Sequence, residues 1–235
     1  MKKTKIKYVF DVDGTLTPSR GRMNKHFAVW FSKFCERNDV YLVTGSDRAK
    51  TIEQVGVYIY DTCKRVYNCS GSDVYERDHN VKRSEWQLPE LAKTFLISCE
   101  YESGFQLRTG NHIEERPGMI NFSVVGRNAT KDQRKEYVVW DKETNERSNI
   151  ANAFNTMFPD LQANVGGETG LDIGPKGSDK SQIMVDFDGC EVYFYCDAMD
   201  EGGNDYALKI ANKYGNNFHV SSWKETWDKL KGLGE

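Results

Sequence analysis

A short apolar segment that ends in two closely spaced aspartates is the feature that most constrains the fold of this chain. Residues 6–10 lead directly into Asp11 and Asp13, which are followed by Gly14 and Thr15. An apolar run of this length is typical of a buried strand. In parallel α/β sheets, ligand sites lie beyond the carboxyl ends of the strands. The pattern therefore predicts a buried strand that presents two carboxylates at one edge of such a sheet.

The two carboxylates themselves indicate a type of chemistry. Groups this close repel each other unless a cation lies between them, and ligation by oxygen alone suits Mg²⁺. One aspartate can act as a nucleophile while the other donates and accepts a proton. A plain Asp/Gly turn after a buried strand is the structural alternative.

Strands and helices alternate near the beginning of the chain and again near its end. This rhythm is typical of a parallel sheet with crossover helices. Ser46 or Asp47 is the predicted cap of the second helix. Predicted helices lie at residues 24–36, 48–55, 179–187, 205–214 and 223–230, and predicted strands at 6–10, 40–43, 192–195 and 218–220.

The middle of the chain has a different character. Short alternating runs separated by Gly or Pro predict antiparallel strands there. These runs are residues 105–108, 112–114 and 119–124, with two further predicted strands at 161–165 and 171–173. Apolar residues at helical spacing predict helices at 86–99 and 131–147, and the pattern of the second helix continues towards residue 158.

The predicted fold class is therefore α/β with an α+β insertion. Residues 1–80 and 177–235 are expected to form a catalytic core around a parallel sheet. Residues 81–176 are expected to form a separate cap with an antiparallel sheet. Each part lies within the usual size range of a domain.

The composition limits which binding partners and which cellular compartment are expected. The formal net charge of the 235 residues is −3, so no strong basic field attracts nucleic acid and no such partner is expected. No apolar run approaches the roughly 20 residues of a membrane span. The six cysteines include no C-x-x-C pair. Their spacing therefore gives little support for a zinc site or a redox-active dithiol. We expect a cytoplasmic enzyme with reduced thiols.

Four groups of polar residues fall at the ends of predicted core strands or at the start of a core helix. They are the Asp11/Asp13 pair, the segment Thr44–Gly45–Ser46, the lysine Lys180, and Asp197 with the later Asp205. Hydroxyl and backbone N–H groups bind phosphate oxygens, and a lysine neutralises phosphate charge. Their order and placement together predict a site for phosphoryl transfer.

The pattern resembles the eukaryotic-type phosphomannomutase family, in the haloacid dehalogenase superfamily with a type C2b cap. The resemblance runs from about residue 6 to residue 222. The matching segments are 11–17 with Arg20, 45–47, 118–121, 126–127, 166–167, 179–180 and 202–205.

The resemblance implies roles for the core residues. Asp11 is the nucleophile that becomes phosphorylated and a ligand of Mg²⁺. Asp13 is the general acid and base, and its backbone carbonyl also binds the metal. Asp197 is the acidic metal ligand, and Asp205 orients Lys180 or metal-bound water.

Further implied roles concern the phosphate and the sugar. Ser46 provides the hydroxyl of the second motif, next to Thr44, and Lys180 completes the catalytic set. The other substrate-binding residues are Arg20 in the core and Arg116, Arg127, Arg134 and Asp172 in the cap. The implied substrate is a phosphorylated hexose, with hexose 1,6-bisphosphate as activator and a homodimer formed through the cap.

Four positions depart from the family pattern. Cys196 and Thr44 stand where Gly is usual, Gly170 where a Ser contacts the sugar phosphate, and Pro117 where Asn is usual. The changes at 196 and 170 touch metal and substrate geometry directly. They leave phosphoryl transfer as the expected chemistry and weaken the prediction that mannose phosphate is the substrate.

These residues are compatible with two enzymatic functions and argue against a third, non-enzymatic one. A phosphohexomutase interconverting mannose 6-phosphate and mannose 1-phosphate is favoured, because arginines in the cap can grip a phosphate at either end of the sugar. A sugar-phosphate phosphatase would use the same core residues with water as the acceptor. A binding protein without activity would require the loss of a core group, and none is lost.

Overall fold

The computed structural model describes residues 6–233, which divide into two compact units. The core unit combines residues up to Ser84 with residues from Ser178 onwards, and the inserted unit is Glu85–Gly177. These boundaries lie at 84/85 and 177/178, close to the expected 80/81 and 176/177.

The strands are numbered in chain order. They are β1 (Lys7–Phe10), β2 (Asp39–Val43), β3 (Arg65–Asn68), β4 (Asp73–Glu76), β5 (His79–Arg83), β6 (Ile113–Arg116), β7 (Met119–Phe122), β8 (Leu161–Gly166), β9 (Gly170–Pro175), β10 (Val192–Cys196) and β11 (Asn216–His219).

The helices are numbered in the same way. They are α1 (Lys25–Arg37), α2 (Arg48–Val55), α3 (Val57–Thr62), α4 (Glu90–Glu102), α5 (Lys131–Thr144), α6 (Glu146–Met157), α7 (Tyr206–Ala211) and α8 (Trp223–Lys231). Short 3₁₀ helices span Cys69–Gly71 and Lys180–Phe187. In the described part of the chain, no helix is long and apolar enough to cross a membrane.

The core unit is built on one sheet with the strand order β11-β10-β1-β2-β3-β4-β5. The strands from β11 to β3 are parallel to their neighbours, which confirms the predicted α/β class. Strands β4 and β5 add an antiparallel hairpin at one edge. This hairpin was not predicted, because β5 is largely exposed and lacks an apolar alternation.

Helix α1 shows how the sequence builds this core. Asn24 caps it by accepting hydrogen bonds from two backbone N–H groups of the first turn, as asparagine commonly does. The helix buries Phe27, Phe31 and Cys35, which are four residues apart and therefore share one face. Phe31 packs edge-on against Phe10 of β1. The predicted helix at 24–36 is thus confirmed with a shift of one residue at each end.

The inserted unit contains an antiparallel sheet with the order β6-β7-β9-β8. Its strands alternate, so that one face is apolar and the other polar. The apolar face carries Ile120, Phe122, Leu171, Ile173 and Ala163, which pack into a core with α4 and α6. This confirms the predicted antiparallel sheet in the middle of the chain.

Two expectations for the inserted unit are wrong. Residues 105–108 form no strand. The guanidinium of Arg108 binds the backbone carbonyls of Phe105 and Leu107, three and one residues earlier, so local contacts and not a neighbouring strand hold these groups. The helix expected to run from residue 131 towards 158 divides at Asn145, whose φ of 53° is left-handed. Helical spacing continues on both sides, so periodicity did not reveal the break.

Two further helices of the core unit differ from the prediction. The helix expected at 179–187 is a 3₁₀ helix, with Asp179 as its cap. The helix expected at 205–214 ends at Ala211, and the side chain of Asn212 then donates to the carbonyl of Val192 at 3.2 Å. Asp47 rather than Ser46 caps α2, accepting from the Lys50 N–H.

The junction between α8 and the loop after β1 generates a prediction. The buried hydroxyl of Thr226 donates to the carbonyl of Thr15 at 2.6 Å. Replacing Thr226 with valine keeps the shape and leaves this carbonyl without its donor. We expect the free energy of unfolding in urea to fall by about 1–3 kcal/mol. The exposed Thr156→Val serves as control, with an expected change within about 0.5 kcal/mol; equal losses would contradict the prediction.

Candidate active site

A buried lysine joins two carboxylates at the carboxyl edge of the core sheet. Asp11 directly follows β1, and its backbone N–H donates to the carbonyl of Tyr195 at the end of β10. Lys180 Nζ lies 2.6 Å from Asp11 Oδ1 and 2.7 Å from Asp205 Oδ1. The three residues are at most 3% exposed. Lys180 reaches this position from the 3₁₀ helix that begins three residues after the chain leaves the inserted unit.

Burial and charge set the protonation of these groups. Burial raises the pKa of Asp11 well above its ordinary value, and the negative charges of Asp205 and Asp197 add to this effect, while Lys180 opposes it. Burial by itself would lower the pKa of Lys180. The charges of Asp11 and Asp205 outweigh burial and raise the Lys180 pKa. Lys180 is therefore cationic, and its charge partly offsets the effect of burial on Asp11.

Asp197 completes an acidic cluster on the same edge. It follows β10, and a Cβ added to Gly14 would lie 2.1 Å from its Oδ2 atom. Only glycine lets the loop after β1 approach the carboxylate so closely, and Gly14 also has a left-handed φ of 81°. Burial, followed by the charge of Asp205, raises the pKa of Asp197.

Oxygen atoms of Asp11, Asp197 and Asp205 lie within 4.8 Å of one another. When ionised, three carboxylates with one lysine cation leave a local charge of −2. This donor set consists only of oxygen and fits a hard divalent cation such as Mg²⁺. Asp205 was expected to act behind the metal ligands, whereas the structure groups its carboxylate with the other two.

Two donors contact the Asp13 side chain. Gln54 Nε2 on α2 donates to Asp13 Oδ1 at 2.8 Å, and the backbone N–H of Arg20 donates to the same oxygen. Arg20 has a left-handed φ of 55°, which is uncommon for a residue other than glycine. Asp13 is thus oriented by groups that are distant in sequence.

The segment after β2 forms a second loop at this edge. Thr44 is buried, and its side-chain oxygen accepts a hydrogen bond from the Ser46 N–H at 3.1 Å. The Ser46 carbonyl accepts from the N–H of Cys69, after β3. Ser46 remains partly exposed at the same strand edge as Asp11. Its hydroxyl is therefore suited to a phosphate oxygen.

In the inserted unit, one glutamate joins two of the predicted arginines. Glu114 Oε1 accepts from Arg116 Nε at 2.8 Å, and its Oε2 accepts from Arg127 Nε. Burial alone would raise the pKa of Glu114, but the two arginines lower it below its ordinary value. The ionised glutamate holds the two guanidinium groups close together.

An amide extends this network across the polar face of the sheet. Asn121 lies opposite Glu114 on one side and Asp172 on the other. It accepts from Arg127 Nη1 at 2.7 Å and donates to Asp172 Oδ1 at 2.7 Å. A Cβ at Gly170 would lie 2.8 Å from the Asn121 amide. The departure at Gly170 therefore gives Asn121 the room it occupies.

Arg134 lies near this network. It occupies the first turn of α5, and its guanidinium donates to Thr169 Oγ1 at 3.2 Å and to the Arg127 carbonyl at 3.3 Å. The predicted arginines Arg116, Arg127 and Arg134 thus belong to neighbouring parts of one unit.

The predicted site residues fall into two groups. Asp11, Lys180, Asp197 and Asp205 are in one cluster of the core unit, with Asp13, Arg20, Thr44 and Ser46 on loops of the same unit. Arg116, Arg127, Arg134 and Asp172 lie in the inserted unit. Sequence reasoning missed Gln54, Glu114 and Asn121. For Glu114, the signal was present: it stands two residues before Arg116 on an alternating strand and so shares its face.

The fold and this site define the class of protein. The chain has the α/β fold of haloacid dehalogenase-like proteins: a haloacid dehalogenase-like hydrolase from Bacteroides thetaiotaomicron superimposes with a TM-score of 0.60 at 12% identity, over 99% of this chain and 100% of the other.

The family is more specific. A sequence model described as eukaryotic phosphomannomutase matches residues 27–233. The chain belongs to this family, as its motifs indicated. The phosphomannomutase of Saccharomyces cerevisiae is 32% identical over 86% of this chain and 84% of its own length. That of Arabidopsis thaliana is 31% identical over 96% and 95%.

The buried lysine generates a testable prediction. Replacing Lys180 with methionine leaves Asp11 and Asp205 without their cation, and we expect the free energy of unfolding to fall by about 3–5 kcal/mol. The double variant Lys180→Met/Asp11→Asn should recover part of this loss, because one uncompensated charge is gone. Urea unfolding measures both values.

The matched control is Lys50→Met, which removes the partly exposed ion pair with Glu53. Its expected cost is about 0–1 kcal/mol. Additive losses for Lys180→Met and Asp11→Asn, with no coupling between them, would show that the contact has no energetic role.

Proposed function

We propose that this protein is a Mg²⁺-dependent phosphohexomutase that interconverts mannose 6-phosphate and mannose 1-phosphate through a phosphorylated Asp11. The proposal rests on one observation. This member of the phosphomannomutase family has charged groups both for transferring one phosphoryl group and for binding a second phosphate. The core unit holds Asp11 against Lys180 beside an acidic cluster. The inserted unit holds two arginines on one glutamate. The first set suits phosphoryl transfer, and the second suits a phosphate that does not react.

Asp11 serves as the nucleophile. Its Oδ1 atom is engaged by Lys180 at 2.6 Å, which leaves Oδ2 as the oxygen that attacks phosphorus. Lys180, held in turn by Asp205, also neutralises charge on the transferring phosphoryl group. Ser46 donates its hydroxyl to an oxygen of that group.

The acidic cluster fits the metal that the family implies. The Asp11 and Asp197 carboxylates and the backbone carbonyl of Asp13 would hold Mg²⁺, because the local charge of −2 and the oxygen donors suit that ion. When bound, Mg²⁺ supplies positive charge that offsets the repulsion between the Asp11 carboxylate and the phosphate oxygens.

Asp13 carries the proton. When the bond between phosphorus and an oxygen of hexose 1,6-bisphosphate breaks and the bond to Asp11 forms, Asp13 donates a proton to the departing sugar oxygen. In the reverse half-reaction, Asp13 takes the proton from the hydroxyl of the incoming monophosphate, whose oxygen attacks phosphorus and releases Asp11.

The inserted unit binds the phosphate that does not react. Arg116, Arg127 and Arg134 provide planar donors for it, and Asp172 accepts from sugar hydroxyls. Arg20, in the core unit, is a further substrate-binding cation in this proposal. A mutase needs such a grip because the sugar must be held in two orientations. Family membership also supports a cytoplasmic homodimer joined through the inserted unit.

Product analysis tests the proposed function. Incubation with mannose 1-phosphate, Mg²⁺ and glucose 1,6-bisphosphate should yield mannose 6-phosphate, measured by ³¹P NMR. Omission of the bisphosphate, or chelation of Mg²⁺, should reduce this product at least tenfold. Asp11→Asn should abolish it, because the amide is not a nucleophile.

The main alternative gives a different product. Inorganic phosphate as the major product with the wild-type protein would identify a phosphatase and overturn the mutase assignment. Activity that survives in Asp11→Asn would overturn the assignment of the nucleophile.

The arginine network generates a separate prediction. Arg127→Ala should raise KM for mannose 1-phosphate at least tenfold, because a bidentate partner of the distal phosphate is lost. The KM for p-nitrophenyl phosphate should change by less than about twofold, since that substrate has no second phosphate. Steady-state kinetics with both substrates measures the difference. Lys142→Ala, an exposed cation on α5, should change neither value; equal losses on both substrates would exclude the distal role of Arg127.

A further inference from the structure

Gln54 is a buried residue whose amide contacts the loop after β1. It lies near the end of α2 and is 2% exposed. Its Nε2 donates to Asp13 Oδ1 at 2.8 Å and lies 3.3 Å from Thr17 Oγ1. Its Oε1 atom is buried and finds no hydrogen-bond partner among the described residues.

The orientation of this amide is informative because it is unfavourable for Gln54 itself. A buried carbonyl oxygen without a donor is normally avoided. The opposite orientation would turn Oε1 towards the Asp13 carboxylate and bring two acceptors together. The contact with Asp13 thus determines which way the amide faces. Departures of this kind from full hydrogen bonding are found where a site serves function rather than stability.

A second donor acts on the same oxygen of Asp13. The Arg20 N–H reaches Oδ1 from a backbone with a left-handed φ of 55°, a conformation that persists in non-glycine residues when surrounding contacts enforce it. Two donors from different elements fix the rotation of the carboxylate. Both act on Oδ1, so that Oδ2 is the oxygen left to exchange a proton with a substrate.

We propose that Gln54 is a positioning residue for the proton transfer step: its amide, together with the Arg20 backbone, orients Asp13 so that Oδ2 meets the sugar oxygen. The inference rests on the proposed role of Asp13 as general acid and base. Gln54 itself touches neither the phosphate nor the sugar. Its effect is confined to steps in which a sugar oxygen gains or loses a proton.

The test uses two substrates that differ in their need for a proton. Release of a sugar hydroxyl requires an acid, whereas p-nitrophenolate leaves as a stable anion. In Gln54→Met, which retains length but has no donor, we expect kcat for mannose 1-phosphate to fall about 10- to 100-fold with KM within about twofold. The pre-steady-state burst of p-nitrophenolate, which reports phosphorylation of Asp11, should stay within about threefold of wild type.

Control variants separate this role from a structural one. Glu53→Met places methionine at the neighbouring, exposed position of α2 and should leave both measurements unchanged. Gln54→Glu has the same shape as glutamine but places an acceptor against Asp13, and it should show the same selective loss. It replaces Gln54→Met if the latter does not fold.

Each outcome decides the proposal. A parallel fall in the burst rate and in sugar turnover would show that Gln54 supports the site as a whole, and unchanged sugar turnover would show that it has no role; either result overturns the inference. Asp13→Asn separates this from the proposed function, because it should lose sugar turnover and retain the burst. If Asp13→Asn retains sugar turnover, the role of Asp13 itself is wrong, whatever Gln54 shows.

Discussion

The ion pairs of one buried lysine determine the rest of the core site. Removing Asp11 and Asp205 from water is strongly unfavourable unless a cation contacts them, and Lys180 lies within 2.7 Å of both. Asp11 stands at its position because β1 lies between β2 and β10. Lys180 stands at its position because the chain re-enters the core unit at Ser178 and begins a 3₁₀ helix two residues later. Both carboxylates thus depend on a cation from the segment that directly follows the inserted unit.

Two clusters of charged side chains, one in each unit, have opposite local charge imbalances. In the core cluster, three carboxyl groups lie beside one lysine. In the inserted unit, Glu114 is shared between Arg116 and Arg127, so that cations exceed anions around it. The first imbalance favours a divalent cation, and the second favours an anion such as phosphate. A chain with a net charge of −3 can thus bind a phosphorylated ligand, because its positive charge is concentrated locally rather than spread over the surface.

The sequence predicted four of the five parallel strands of the core, because apolar runs and helix caps leave strong local signals; β3 was not predicted. The 48–55 helix agrees with α2 residue for residue. The hairpin of β4 and β5 left no such signal, since an exposed edge strand needs no apolar alternation. Likewise, residues 105–108 alternate like a strand, but Arg108 takes up their carbonyls. In both cases the apolar alternation of the sequence and the formation of a strand do not coincide.

The site residues that the sequence did not reveal include two amides, and there is a physical reason for this. An amide donates and accepts at once without adding charge, so it can connect groups whose charges are already balanced. Asn121 bridges the cation of Arg127 and the anion of Asp172 in this way. Gln54 uses only its donor, on Asp13, and its acceptor stays unpaired among the described residues. Motifs identify the residues that supply charge. The residues that orient those charged groups are brought to them by sheet register and helix packing, which a local sequence pattern does not show.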